Sequence, residues 1–213
     1  MIPDAPSVGL FVVAALALLV VPGPAVVYIV ARSIHEGRRA GLASVVGIHV
    51  GTLVHIAAAT LGLSALIASS AVAFTAVKVA GAIYLVGIGL WTLFSRRADP
   101  DVALGGGQNL RRAFAQGIVV NVLNPKTALF FLAFLPQFVD PNAAHPALQI
   151  AFLGVLFALL GLVTDSIWAI AAGSAGGVLR RSRRFVRTQR YVTGTVYVGL
   201  GVATALGGGT SED

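Results

Sequence analysis

An all-α protein that crosses a bilayer several times is the fold class this sequence predicts. Three observations predict it. The chain is 57% hydrophobic and only 11% charged, whereas soluble domains carry about 25% charged residues. Its apolar runs have the length of membrane helices, about 20 residues, and lack the roughly 10-residue alternation of a membrane barrel. Its arginines gather in three clusters between those runs.

The elements follow in order. Residues 1–9 hold Asp4 and no lysine or arginine, so the positive region of a cleavable leader is missing and the first apolar run reads as a retained span. That span covers residues 7–31 and is interrupted by Pro22-Gly23-Pro24. Residues 41–93 contain one charge, Lys78, and are too long for a single crossing. The small polar group Ala68-Ser69-Ser70 marks a turn between span two, 40–68, and span three, 72–94. Residues 95–112 carry Asp99, Pro100, Asp101 and three consecutive glycines, and read as a linker. Span four covers 113–139, span five 147–173 and span six 191–206. The expected organisation is a three-helix half, 1–94, the linker, 95–112, and a second three-helix half, 113–213.

The charge pattern orients these spans. Arg32, Arg38 and Arg39 follow span one. Arg96, Arg97, Arg111 and Arg112 follow span three. Six arginines between Arg180 and Arg190 follow span five. All thirteen lie on one side, and the other side has no lysine or arginine. Cytoplasmic loops carry such an excess, so both termini are expected outside. The net charge of +7 therefore marks contact with anionic lipid headgroups, and no nucleic-acid partner is expected. Cysteine is absent, which excludes disulfides and thiolate metal sites.

The halves resemble each other. Each first span is broken by proline, at Pro22-Gly23-Pro24 and at Asn124-Pro125. Each third span carries a glycine and a tyrosine at i, i+3, Gly81 with Tyr84 and Gly194 with Tyr197. Three spans is an odd number, so the halves must run in opposite directions. Inverted halves with proline-interrupted helices are a plan of secondary transporters, whose sites lie near the midplane at those breaks.

Four groups sit at expected bilayer depth. Pro22-Gly23-Pro24 frees backbone carbonyls, which can take an ammonium, while helix N-terminal ends can take a carboxylate. Lys126 follows Pro125 inside span four, where a lysine costs roughly 2.5–3.5 kcal/mol. It is expected to hold a carboxylate, or to pair with Asp165 when the site is empty. Asp165 is the acidic residue deep in span five and a candidate proton carrier or structural partner. Lys78 lies near the outer end of span three, where snorkelling explains it more simply. His49 and His55, six residues apart, stand about 120° apart on a helix, which is poor geometry for one metal. No metal site or cofactor is expected, though either histidine could titrate in a proton path. No serine nucleophile motif or Walker loop occurs, so an enzyme is not expected.

Several of these residues carry a family resemblance. Pro22-Gly23-Pro24 resembles the P-G-P motif of the LysE/RhtB amino-acid exporters, a group that includes threonine and homoserine exporters. Gly117, Asn121, Asn124-Pro125-Lys126, Phe130-Phe131 and Leu135-Pro136-Gln137-Phe138 resemble its fourth-span signature. Lys78, Gly81, Tyr84-Leu85 and Gly87 are similar to its third span. The resemblance covers nearly the whole chain. It implies a bacterial inner-membrane protein that exports amino acids or close derivatives in exchange for protons.

The combined expectation is a six-helix secondary transporter working by alternating access. Pro22, Gly23, Pro24, Asn121, Asn124, Pro125 and Lys126 form its expected substrate site, with Asp165 for the proton and Lys78, Tyr84 and His49 as secondary candidates. Export of a metal or other inorganic ion is the alternative within transport, and a membrane enzyme or assembly protein the alternative outside it. A homodimer is a candidate assembly.

Overall fold

The structure, a computed structural model, describes residues 3–69 and 109–179, and singly the helical positions Val72, Ala76, Val79, Ile83, Val86, Leu90, Val198 and Val202. The regular structure of the described residues is helical, with no strand among them. Helix α1 is Ala5–Val20, α2 is Pro24–Glu36, α3 is Arg38–Ser69, α4 is Leu110–Val122, α5 is Pro125–Leu129 and α6 is Pro146–Leu179. A π-helical turn, Phe130–Phe134, and a 3-10 turn, Leu135–Phe138, continue α5. Pro136 in the 3-10 turn lacks the N–H that a regular helix would use.

Helices α3 and α6 contain segments, Arg38–Leu63 and Pro146–Ser174, that are each long and apolar enough to cross a membrane alone. The pairs α1–α2 and α4–α5 meet the same criterion only as broken units, bent by 50° and 45°. Each bend falls at the proline that the sequence places there. Proline starts α2 and α5 at their first position, where the missing N–H has no intrahelical partner to lose. Between α2 and α3 the chain reverses at Gly37 alone, with φ of 86°. A side chain there would be strained.

Glycine lets α3 and α4 touch backbone to backbone. Gly47 packs on Phe114, and a methyl on Gly51 would lie 2.9 Å from the Ile118 carbonyl oxygen. From the other side, a methyl on Gly117 would lie 2.6 Å from the Ser44 carbonyl oxygen. Gly47 and Gly51 are four residues apart, the spacing of close helix pairing in membranes. This contact holds α4, and with it Asn121, against one face of α3.

Two apolar clusters flank the breaks. One gathers Phe11, Leu18, Phe130, Phe131, Phe134 and Phe157 with their neighbours. The other gathers Tyr28, Ile29, Val45, Ile48 and Ala169. The polar residues of the next subsection lie where these clusters meet.

The sequence reading of Arg32 as a charge of the cytoplasmic loop is corrected. Arg32 is 1% exposed. Its guanidinium donates to Glu36 and to Gln116 Oε1, and its Nε donates to the Tyr28 hydroxyl at 3.2 Å. Tyr28 in turn donates to the Ala113 carbonyl at 3.0 Å. Tyr28, Arg32 and Glu36 are spaced by four and share one face of α2. That face meets Gln116 of α4, so the charge is satisfied without solvent.

Candidate functional site

Each break deprives a carbonyl of its regular helical donor, and a side chain that carries N–H reaches each of these carbonyls. In a continuous helix the Leu18 carbonyl would accept from residue 22, which is proline and has no N–H. Lys126 supplies the donor: its Nζ lies 2.7 Å from the Leu18 oxygen and 2.5 Å from the Val21 oxygen. In α4 the Asn121 carbonyl would accept from residue 125, again proline. It accepts instead from the Asn124 backbone N–H at 3.0 Å, and His55 Nε2 lies 2.8 Å from the same oxygen. A carbonyl only accepts, so Nε2 of His55 carries the proton. The ring also stacks on Phe131, with centroids 6.1 Å apart.

Two asparagines hold the second break open. The Asn121 amide donates to the Ile48 carbonyl at 2.8 Å and to Thr52 Oγ1 at 2.9 Å. Its oxygen accepts from Thr127 at 3.0 Å and from the Asn124 amide at 3.3 Å. Asn124 also caps α5, its oxygen accepting from the Lys126 backbone N–H at 3.1 Å. A short polar residue before the first turn is the standard donor-satisfying cap. The cap fixes the start of α5 and so aims Lys126 at α1.

A third pair lies across α3 and α6. His49 Nε2 and Asp165 Oδ2 are 3.2 Å apart. Gly161, one turn before Asp165, makes room for the ring: a methyl there would lie 2.7 Å from His49 Cε1. Nδ1 of His49 is buried with no hydrogen-bond partner among the described residues.

Several of these groups line a cavity of about 30 Å³. Its wall includes Gly23, Asn121, Asn124, Lys126, His49 and Asp165. That volume takes a water molecule but not an amino acid.

The structure thus brings Gly23, Asn121, Asn124, Lys126 and Asp165 to one cavity, with Pro22, Pro24 and Pro125 setting the breaks that shape it. His49, a secondary candidate, lines it directly. Lys78 and Tyr84 lie outside the described residues. Lys126 and Asp165, expected to pair when the site is empty, both line the cavity. The direct contacts of Asp165 include His49, and those of Lys126 include the carbonyls of α1. Sequence reasoning missed Thr52, Thr127 and the two-helix partnership of His49. A usable signal was the spacing of Gly47 and Gly51, which presents one face of α3 to a close neighbour. Among the described residues, no group of three or more histidine and carboxylate side chains could hold a metal ion.

Comparison with known proteins gives the family. The model of a family described as LysE type translocator matches residues 16–208. The chain belongs to the LysE type translocator family. A LysE type translocator moves a solute and is not an enzyme. Its relatives include an uncharacterized membrane protein of Vibrio cholerae, 29% identical over 92% of this chain and 94% of that one. Another, from Bacillus subtilis, is the membrane protein YrhP, 27% identical over 89% of this chain and 93% of the relative. A leucine efflux protein of Enterobacter sp. strain 638 is 25% identical over 92% and 93% of the two chains. No solved structure matches this LysE type translocator.

Proposed function

We propose that the chain exports an amino acid, or a closely similar small zwitterion, across the bacterial plasma membrane in exchange for protons. One observation carries the reading: a cationic side chain, Lys126, and an anionic one, Asp165, line one cavity where two broken helices meet. A zwitterion needs that pairing of opposite charges. The relative named as a leucine efflux protein points to the same substrate class.

In this reading Lys126 meets the substrate carboxylate, and the backbone opened by Pro22, Gly23 and Pro24 meets its ammonium. Asn121, Asn124 and Pro125 hold the lysine in place. Asp165 and His49 carry the proton. A neutral His49 that donates through Nε2 to Asp165 leaves Nδ1 as an acceptor, so the pair can take up one proton and become an ion pair. The cavity is too small for substrate, so the broken helices must part to admit it. Alternating access supplies that motion, through two inverted halves, 1–94 and 113–213, joined by residues 95–112, with both termini outside.

Counterflow in proteoliposomes tests the reading. Labelled leucine and a panel of other amino acids are compared with a panel of metal ions, with and without an imposed pH gradient. The expected result is saturable counterflow of at least one amino acid, accelerated by the gradient. Counterflow of a metal ion, with none of any amino acid, overturns it.

A further inference from the structure

We infer that the carbonyls of Leu18 and Val21 form a binding subsite for a primary ammonium, that Lys126 occupies this subsite as a built-in ligand, and that the ammonium of an amino-acid substrate displaces it. The displacement rests on the proposed function; the subsite rests on geometry alone.

The two oxygens converge for a structural reason. Pro22 removes the N–H that the Leu18 carbonyl would otherwise bind. Val21 leaves the helix with ψ of 118°, which turns its carbonyl out of the helical ladder. Lys126 Nζ sits within 2.7 Å of both. The lysine is 9% exposed and Val21 2%, so these acceptors are shielded from bulk solvent. Two carbonyls at such distances accept N–H bonds and suit a group with several donors on one nitrogen. A quaternary ammonium has none. The stem of Lys126 is held by the bare surface of Gly23, against which a methyl would stand 2.8 Å from Cδ.

An occupied subsite poses a problem for a zwitterion, because the lysine fills the place its ammonium needs. Exchange resolves it. As the substrate carboxylate draws Nζ off the carbonyls, the substrate ammonium takes them. Each charged group leaves one set of partners for another, so no buried ion is left unpaired at the end of the swap. The same exchange explains why the lysine can stay buried when the site holds no substrate. The subsite would also select against solutes whose nitrogen is fully alkylated, since they cannot replace the donors that Lys126 withdraws.

The test uses the purified full chain in detergent and reads thermal unfolding. Lys126→Ala removes the stem beyond Cβ, a fragment equivalent to propylammonium. Propylammonium is expected to raise the melting temperature of Lys126→Ala saturably, by about 3 °C at ten times its dissociation constant. Propyltrimethylammonium, of like charge but without N–H, is expected to do nothing, and neither should stabilise the wild type, whose subsite is filled. Equal responses to the two amines, or none, overturn the subsite. Should Lys126→Ala fail to fold, Lys126→Met keeps the stem to Cε, and ammonium against tetramethylammonium gives the same two readings. These shifts need no transport. Amine selectivity without amino-acid counterflow would keep the subsite and overturn the proposed function; counterflow without amine selectivity would do the reverse.

Discussion

Gly23 and Lys126, more than a hundred positions apart in the chain, are fitted to each other: a single methyl on the glycine would stand 2.8 Å from Cδ of the lysine and 3.5 Å from its Nζ. The close approach lets the lysine lie along the first break with its ammonium on the carbonyls. Gly23→Ala forces the stem to retreat. Overpacking of this kind costs about 1–3 kcal/mol, and each 1.4 kcal/mol is about a factor of ten. Export by Gly23→Ala is expected to fall about tenfold or more at matched protein level. Wild-type counterflow in this variant would show that the fit is incidental.

Pro22 is expected to trade stability for function. Alanine at this position supplies the N–H that the Leu18 carbonyl lacks, at the spacing of a regular helix. Proline is about 3 kcal/mol worse than alanine inside a helix. Pro22→Ala should therefore unfold at the same or a higher temperature than the wild type while losing export, because the backbone now competes with Lys126. Full export combined with raised stability would mean that the break serves packing alone.

The breaks were legible in the sequence because proline acts locally. Pro22 and Pro125 each delete one N–H, and the carbonyl affected is fixed by counting four residues back. What occupies that carbonyl was not legible. Lys126 meets Leu18 across 108 residues and His55 meets Asn121 across 66, and a backbone oxygen carries no residue-type signature. Asp165 stood out as an acidic residue in an apolar run, which makes Lys126 the obvious partner by charge. His49, neutral on formal counting, was weighed with His55 as a metal ligand and not as the partner of Asp165. Arg32 was misread for a similar reason. A charge beside Arg38 and Arg39 looks like part of their loop, and only the Gln116 face of α4 makes its burial tolerable.

The Arg32–Glu36 pair gives a stability prediction. The pair is buried, and Gln116 and Tyr28 satisfy further guanidinium donors. Removing one partner of such a pair typically costs about 3–5 kcal/mol, because the other charge is left buried and alone. Arg32→Met and Glu36→Gln should each lower the unfolding temperature in detergent strongly. The double variant Arg32→Met with Glu36→Leu should recover most of the loss, since no charge remains. Losses that simply add would mean that the two residues act independently.

Orientation is tested by reporter fusions at Gly107 and Asn142. The proposed layout, argued from the arginine clusters, has residues 95–112 in the cytoplasm and the loop before α6 outside. Burial of Arg32 beside Glu36 withdraws one charge from that bias and leaves the others on the same side. The fusions should report opposite compartments, with Gly107 inside. If both report the cytoplasm, six spans with both termini outside cannot be the layout.

Asp165 separates substrate binding from proton coupling. Its carboxylate faces His49 at 3.2 Å and lines the cavity with Lys126. Asp165→Asn keeps the shape and an acceptor for the histidine N–H but removes one of the two groups that carry the proton in the proposed function. Transport driven by an imposed pH gradient is therefore expected to collapse. Counterflow at equal pH on both sides, which needs binding and the conformational change but no net proton movement, should fall less. His49→Gln should give the same division, since it removes the proton acceptor and keeps a donor toward Asp165. The measurement is labelled amino-acid flux in proteoliposomes with and without the gradient, at matched protein content. If both variants lose the two activities in equal proportion, Asp165 and His49 serve substrate binding or structure, and the proton takes another path.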